Sequence, residues 1–451
     1  MRVSERDQIR RLRNMNYEKD IRYVVKHSKW ILSSVGVWPR VVRGAKRYLP
    51  NVAIGLSNSV LLFAIVPCIL HIVYEEKNIV IRLQLLGLLS FCVISLAKYW
   101  ALTARKPRIK DCIEHVKDDW KQVETQGDRE LMLKYGKIGR DLTITCAAFM
   151  YASGAIYHTA MQYAIGSIVN EQNRTIKPLV YPTYSALYDV QTSPVYESVY
   201  IVHCLCGYVI YSVTTGACGL AALFATHVCG QIDILMSRLQ DLVDHERNSD
   251  PTVRLTEIVQ HHLRTLRYLP HPDAAVRYRE SKLHDRTVCR FSATVETILQ
   301  EVCFLEFVGS TFMICLLEYY CITAWEQNNA ISVATYTLLL VSLTFNIFIL
   351  CYIGQLLIEK VSFVLPLFHL RACNLLNCVL QTTAVGLSCF MIDWYRLPTK
   401  TVQGLILVIG ISNNPCKISA GGIVDLNLST FGNVLKTSLA YLSFLRTAVV
   451  Q

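Results

Sequence analysis

Acidic charge is scarce in this chain: 34 Asp and Glu stand against 45 Lys and Arg in 451 residues, a formal charge of +11. There is no Cys-x-x-Cys pair, no phosphate-cradling glycine loop, no HExxH and no GxSxG. Zinc-ribbon, P-loop, metalloprotease and serine-hydrolase chemistries therefore lose their signatures. The adjacent His261 and His262 point roughly 100° apart on a helix, unlike the shared face of a metal-binding pair. No catalytic residue, metal or cofactor is expected, and the chain does not read as an enzyme. An apolar run is also missing before residue 50, so no cleavable signal peptide is expected and the first span directs insertion.

What is present is apolar. Hydrophobic residues make up 52% of the chain, with a mean hydropathy of +0.32, too high for an ordinary soluble protein. Most of the 17 cysteines, among them Cys92, Cys146, Cys204, Cys206, Cys218, Cys315 and Cys351, lie inside apolar runs and act as small hydrophobes. Crossing a bilayer takes about 20 apolar residues in a helix. Seven stretches qualify: 52–74, 79–102, 142–166, 199–225, 302–323, 331–358 and 423–445.

The basic residues cluster between these runs. Thirteen Lys and Arg lie in residues 1–50, ten in 103–141 and ten in 226–301, whereas 75–78 holds only Lys77, 167–198 only Arg174 and Lys177, and 324–330 none. Such a distribution orients a membrane protein instead of binding nucleic acid. It predicts an all-α membrane protein of seven transmembrane helices, with the N-terminus cytoplasmic and the C-terminus extracellular. The glycosylation triplet Asn173-Arg174-Thr175 falls in a lysine-poor loop, as that orientation requires. A second, Asn427-Leu428-Ser429, falls within the last predicted span. A G-protein-coupled receptor has the opposite orientation, and neither Asp-Arg-Tyr nor Asn-Pro-x-x-Tyr ends the third or seventh run.

The most specific pattern lies near the C-terminus: Asp393-Trp394-Tyr395-Arg396-Leu397-Pro398, Pro415, Ala420-Gly421, Ser429-Thr430-Phe431, Leu435-Lys436-Thr437-Ser438, Tyr441 and Leu445-Arg446. Together these resemble the C-terminal signature of insect odorant receptors, and Cys351-Tyr352-Ile353-Gly354-Gln355 is similar to the family motif ending the sixth span. The resemblance implies a tuning subunit that binds a small volatile, apolar odorant. It implies assembly with the odorant receptor co-receptor into a heterotetrameric, non-selective cation channel, in the plasma membrane of olfactory sensory neurons. It further implies an anchor made of cytoplasmic extensions of the fourth to sixth helices and a short helix, here Thr401 to Ser412. A pore-lining helix would run from Gly422 to Thr447.

On the last span Ser429, Asn433, Lys436, Thr437 and Ser438 interrupt the apolar run, and polar groups at membrane depth persist where they face water or protein. Tyr441, Phe444 and Ala448 share one helical face. Spacing alone favours packing against other helices; the resemblance reverses this and favours a hydrophobic gate with Thr447 beside it. The resemblance also places the odorant site in the outer half of the bundle. Tyr151, Gly154 and His158 on the third span are one candidate wall, with Gly154 leaving space between two hydrogen-bonding side chains. Tyr200 and His203 on the fourth span and Tyr336 on the sixth complete it. Each has a plainer reading, the tyrosines as interfacial anchors and the histidines as satisfied bundle residues. Lys98 reads as a side chain snorkelling to the cytoplasmic interface.

These runs divide the chain into a cytoplasmic N-terminal region (1–50), a six-helix ligand-binding region (51–358) and a C-terminal anchor and pore region (382–451). Two stretches interrupt the pattern. Residues 361–381 begin Val361-Ser362 and end Leu380-Gln381, compatible with in-frame splice sites, and 268–290 ends Cys289-Arg290 in a similar way. Both read as retained introns or as cytoplasmic insertions. A gustatory receptor of the same superfamily, or a secondary transporter with inverted repeats, are the competing functions.

Overall fold

A chain dominated by long apolar runs satisfies its backbone by forming helices, and the computed structural model is almost wholly helical. It describes residues 14, 16–39, 48–123, 125–165, 168–169, 175–177, 179–187, 189–240, 242, 255, 289–362, 394–399, 401–403, 405–406 and 418–450. Nine α-helices of at least 16 residues occur among them. Five are each long and apolar enough to cross a bilayer: α2 (Leu49–Tyr74), α3 (Ile79–Ala104), α6 (Val195–Gln240), α7 (Cys289–Glu326) and α8 (Ala330–Ser362). The uncharged second half of α5 (Gln126–Ile165), from 142 onward, and α9 (Leu428–Val450) bring the crossing helices to seven. Six of the seven predicted runs lie within these helices, apart from residue 166, which is outside the described residues.

The two remaining helices do not cross. α1 (Tyr17–Ser34) and α4 (Lys106–Lys121) are amphipathic, burying Ile21, Val24, Val25, Ile31 and Leu32 on one and Ile109, Cys112, Ile113, Val116 and Trp120 on the other. α1 packs against α4, α5 and α6. Its Asp20 receives two bonds from Arg129 of α5, at 2.7 and 2.9 Å, and that guanidinium holds the carboxyl below its ordinary value. Nearby, Arg238 of α6 donates to Asp128 (3.0 Å) and the Tyr135 hydroxyl to Asp233 (2.6 Å). These polar clasps are possible because α5 to α8 outrun the membrane. α6 has 46 residues, and at about 1.5 Å per residue that is more than twice a hydrocarbon core of ~30 Å.

α6 is the central post. Its stretch Tyr211 to Gln231 is buried throughout, and small residues (Gly216, Ala217, Cys218, Gly219, Ala221, Ala222) let α1, α3, α5 and α8 approach closely. Large apolar side chains face outward instead on α2 (Val52, Leu56, Leu62, Val66), α7 (Val308, Phe312) and α8 (Leu338, Val341). In water such a surface would drive aggregation; in lipid it is the solvated face.

The last span departs from expectation. Residues 422–427 are not helical: β3 (Ser419–Ala420) pairs antiparallel with β4 (Val424–Asp425) around Gly421 and Gly422, whose φ values are +64° and +69°. Two successive positive φ angles make the turn and forbid a helix. The hairpin packs against α7, where Gly421 N–H donates to the Gln300 carbonyl (3.0 Å). α9 thus starts at Leu428, not at Gly422 or 423. Asn427 is its cap, its Oδ1 accepting from Thr430 N–H at 2.8 Å. The second glycosylation triplet therefore begins at the helix entrance, not within the span. Of the short helix at 401–412, residues 401–403 and 405–406 are described and helical; the rest lies outside the described residues, as do most of 268–290 and 361–381. A second small hairpin joins β1 (Ile168–Val169) to β2 (Thr175–Ile176). Thr175 opens β2, while Asn173 lies outside the described residues.

Candidate functional site

Tyr151, Gly154, His158, Tyr200 and His203 meet at the α5–α6 seam. Helical spacing puts the first three on one face of α5, and α6 presents Tyr200, His203, Gly207 and Tyr211 to it. The Tyr151 hydroxyl and Ser212 Oγ are 2.7 Å apart. His158 Nδ1 lies 2.9 Å from the Gly154 carbonyl. A carbonyl only accepts, so Nδ1 carries the hydrogen and Nε2 of the neutral ring is left as an acceptor. The Tyr200 hydroxyl donates to the His158 carbonyl at 3.0 Å, so it ties the two helices together.

The space expected at Gly154 is filled. A Cβ there would lie 2.1 Å from Cε2 of Tyr211, whose ring occupies the notch. Gly207 does the same for His158, with a hypothetical Cβ 2.5 Å from Cε1. Both glycines are where aromatic rings lock one helix onto the other.

Sequence reasoning missed three neighbours. Tyr211 is one turn beyond Gly207 on the same α6 face and was legible from spacing. Phe63 of α2, 6.3 Å from the His203 ring, lies in a run too uniformly apolar to single it out. Tyr181, from the 179–187 loop, is buried and meets His203 edge to face at 5.0 Å and His158 at 6.2 Å. No periodic signal marks a loop residue. Its segment is pinned by Glu75 at the end of α2, which accepts from Ser185 N–H (2.9 Å) and Ser185 Oγ and pairs with His71 Nδ1 at 2.6 Å. Burial alone would raise that carboxyl; the Ser185 and His71 bonds outweigh it and hold it below its ordinary value.

Tyr336 sits apart from this nest. Its ring lies 5.6 Å from Tyr320, whose hydroxyl donates to the Leu83 and Gln84 carbonyls of α3 (3.1 and 3.0 Å). Tyr157 of α5 meets His158 edge to face at 5.7 Å.

Deeper in the bundle Lys98 does not snorkel. Its Nζ donates to Glu306 Oε2 (2.7 Å) and Thr214 Oγ1 (2.9 Å), and both charged side chains are under 5% exposed. Asn346 Nδ2 (2.6 Å) and Ser310 Oγ (3.1 Å) donate to the other Glu306 oxygen, and the Cys146 thiol to Asn346 Oδ1 (3.2 Å). α3, α5, α6, α7 and α8 thus share one polar hub. A snorkelling reading failed because Glu306 is more than 200 residues away in sequence.

On α9 the stripe Thr430, Val434 and Ser438 is buried, with Ser438 Oγ donating to Glu318 of α7 at 3.1 Å. Asn433, Lys436, Thr437, Ala440 and Tyr441 are exposed, Tyr441 by 57%. For Phe444, Thr447 and Ala448 only the helical backbone is among the described residues.

Comparison with known proteins agrees with this architecture. The family model for the seven-transmembrane ("7tm") odorant receptors matches residues 79–364, well over half of the chain. Odorant receptor 10 of Aedes albopictus is 21% identical over 284 residues, a match that spans 60% of each chain. Among solved structures, the olfactory receptor OR5 of Machilis hrabei in complex with eugenol superposes with a TM-score of 0.69 at 13% identity, covering 96% of this chain and 100% of that one. A second structure of OR5 gives 0.66 at 14% identity, covering 95% and 99%. The gustatory and transporter alternatives give way to this match, and the chain belongs to the insect odorant receptor family, whose members are receptors and not enzymes.

Proposed function

We propose that this chain is the ligand-binding tuning subunit of an odorant-gated, non-selective cation channel assembled with the odorant receptor co-receptor. The observation that carries the reading is the uncovered face of α9. One stripe is buried against α7 and α8, while Asn433, Lys436, Thr437 and Tyr441 face outward from the chain. Polar groups and a lysine at membrane depth need water or protein opposite them, and a pore shared with neighbouring subunits supplies both. Tyr441, Phe444 and Ala448 are then the gate, with Thr447 as a hydration site. The odorant binds at the nest of Tyr151, Gly154, His158, Tyr200 and His203, where Tyr211 fills the notch at Gly154, while Tyr336 stands apart beside Tyr320. That nest has aromatic walls and few polar groups, as a site for a small apolar ligand requires.

The orientation follows the basic residues: the end carrying α1 and α4 is cytoplasmic, and the loop holding Tyr181 and Asn173 is outside, where Asn173 is glycosylated. The protein resides in the plasma membrane of olfactory sensory neurons. One or both of 268–290 and 361–381 are retained introns absent from the functional protein; the family match runs through the first stretch and ends at residue 364, inside the second. Antennal transcript reads across both stretches test this, and full-length reads retaining them contradict it.

The two-site division makes a separable prediction. Phe444→Ala changes ion selectivity or conductance while leaving odorant potency nearly unchanged. Tyr151→Phe, which removes the bond to Ser212, changes potency and leaves permeation intact. Current recordings that show both variants altering the same parameter contradict the assignment.

A further inference from the structure

His203 is fully buried, at 0% exposure, and neither of its ring nitrogens has a hydrogen-bond partner among the described residues. Buried polar groups in folded proteins are nearly always satisfied, so such a ring calls for a missing partner. Its surroundings explain why the protein supplies none. Phe63 and Tyr181 present ring faces and edges at 6.3 and 5.0 Å. His158 spends Nδ1 on the Gly154 carbonyl. Its Nε2 has no hydrogen-bond partner among the described residues.

We propose that His203 selects the ligand's chemical class: it hydrogen-bonds the oxygen of a small hydroxyl- or carbonyl-bearing volatile, with the His158 Nε2 lone pair as a second acceptor. The inference rests on the odorant site proposed above and narrows what that site takes. A neutral imidazole offers one N–H donor and one lone pair. A hydroxyl both donates and accepts, so it pairs with either nitrogen in either tautomer. A carbonyl pairs with the N–H alone. A hydrocarbon satisfies neither and, by displacing any water there, leaves both nitrogens dry. The selectivity is therefore ordered, with hydroxyl and carbonyl compounds above hydrocarbons of equal size. A site built to hydrogen-bond a polar group discriminates against the analogue lacking it far more strongly than an apolar pocket discriminates by size.

The test uses the full chain expressed with the co-receptor and compounds matched in skeleton: cresol against xylene, and heptanol and heptanone against octane. The readout is the concentration giving half-maximal current. In the wild type the oxygenated member of each pair is expected to be about tenfold or more potent, corresponding to about 1.4 kcal/mol. His203→Phe keeps the ring volume and removes both nitrogens, so the ratio falls toward one while the hydrocarbons lose nothing. His203→Gln, which retains a donor and an acceptor, restores part of the preference. Equal potency of hydrocarbon and oxygenated partners in the wild type overturns the inference. So does a preference that survives in His203→Phe, which would mean that ordered water alone satisfies the ring. If His203→Phe weakens every activator equally, the site stands and the ligand-class inference fails. If neither His203→Phe nor Tyr151→Phe moves any potency, the site itself is wrong.

Discussion

Two glycines show how closely the candidate site is fitted. Glycine lowers helix stability by roughly 1 kcal/mol relative to alanine, so Gly154→Ala would ordinarily strengthen α5. Here the added Cβ would lie 2.1 Å from the Tyr211 ring, and overpacking of a filled core costs about 1–3 kcal/mol. The steric term wins, because the Tyr211 ring, buried between two helices, has nowhere to turn. Gly154→Ala is therefore expected to lower odorant potency and thermal stability together. A fluorescence-based melting measurement and a dose-response curve check it, and an unchanged or raised melting temperature would contradict the packing described. Part of this seam was legible: helical spacing puts Tyr151, Gly154 and His158 on one face, while the family resemblance pointed to Tyr200 and His203 beside it. The role of Gly154 was not, since a gap in one helix reveals its occupant only when the facing helix is placed. Tyr181 was invisible for the same reason, being held over His203 by a loop contact to Glu75.

At the scale of helices, the polar hub around Lys98 and Glu306 ties five of them together. A buried ion pair adds little net stability over apolar side chains, yet removing one partner leaves a bare charge, at a cost of about 3–5 kcal/mol. Lys98→Met is expected to reduce the folded fraction and surface expression severely, with Glu306→Gln milder because an amide still pairs with Lys98 and Asn346. Combining Lys98→Met with Glu306→Gln should recover part of the loss. Quantitative surface labelling measures it, and a double variant no better than Lys98→Met alone would show that the charge pairing is not what matters. Apolar length located the spans because hydrophobic runs dictate them directly. It could not show that Lys98 is paired, because partner choice depends on how five helices pack. Nor did it set where α9 begins: 423–427 are apolar enough to extend the span, but Gly421 and Gly422 take left-handed φ values and turn the chain into a hairpin.

For the whole molecule, the chain has the seven crossing helices of its family, and the proposed function divides the work of ligand and ion between two of its features. The nest at the α5–α6 seam is closed over by Tyr181, and α9 stands at the edge of the bundle with one face uncovered. As the proposed channel subunit the chain is incomplete, since a single α9 cannot enclose a pore. Its exposed face calls for further subunits, and the tuning-subunit assignment calls for the co-receptor among them. The most direct test is whole-cell current recording across an odorant panel, in cells expressing this chain alone and together with the co-receptor. Odorant-evoked, non-selective cation current is expected only with both. Robust odorant-evoked current from this chain alone would contradict it.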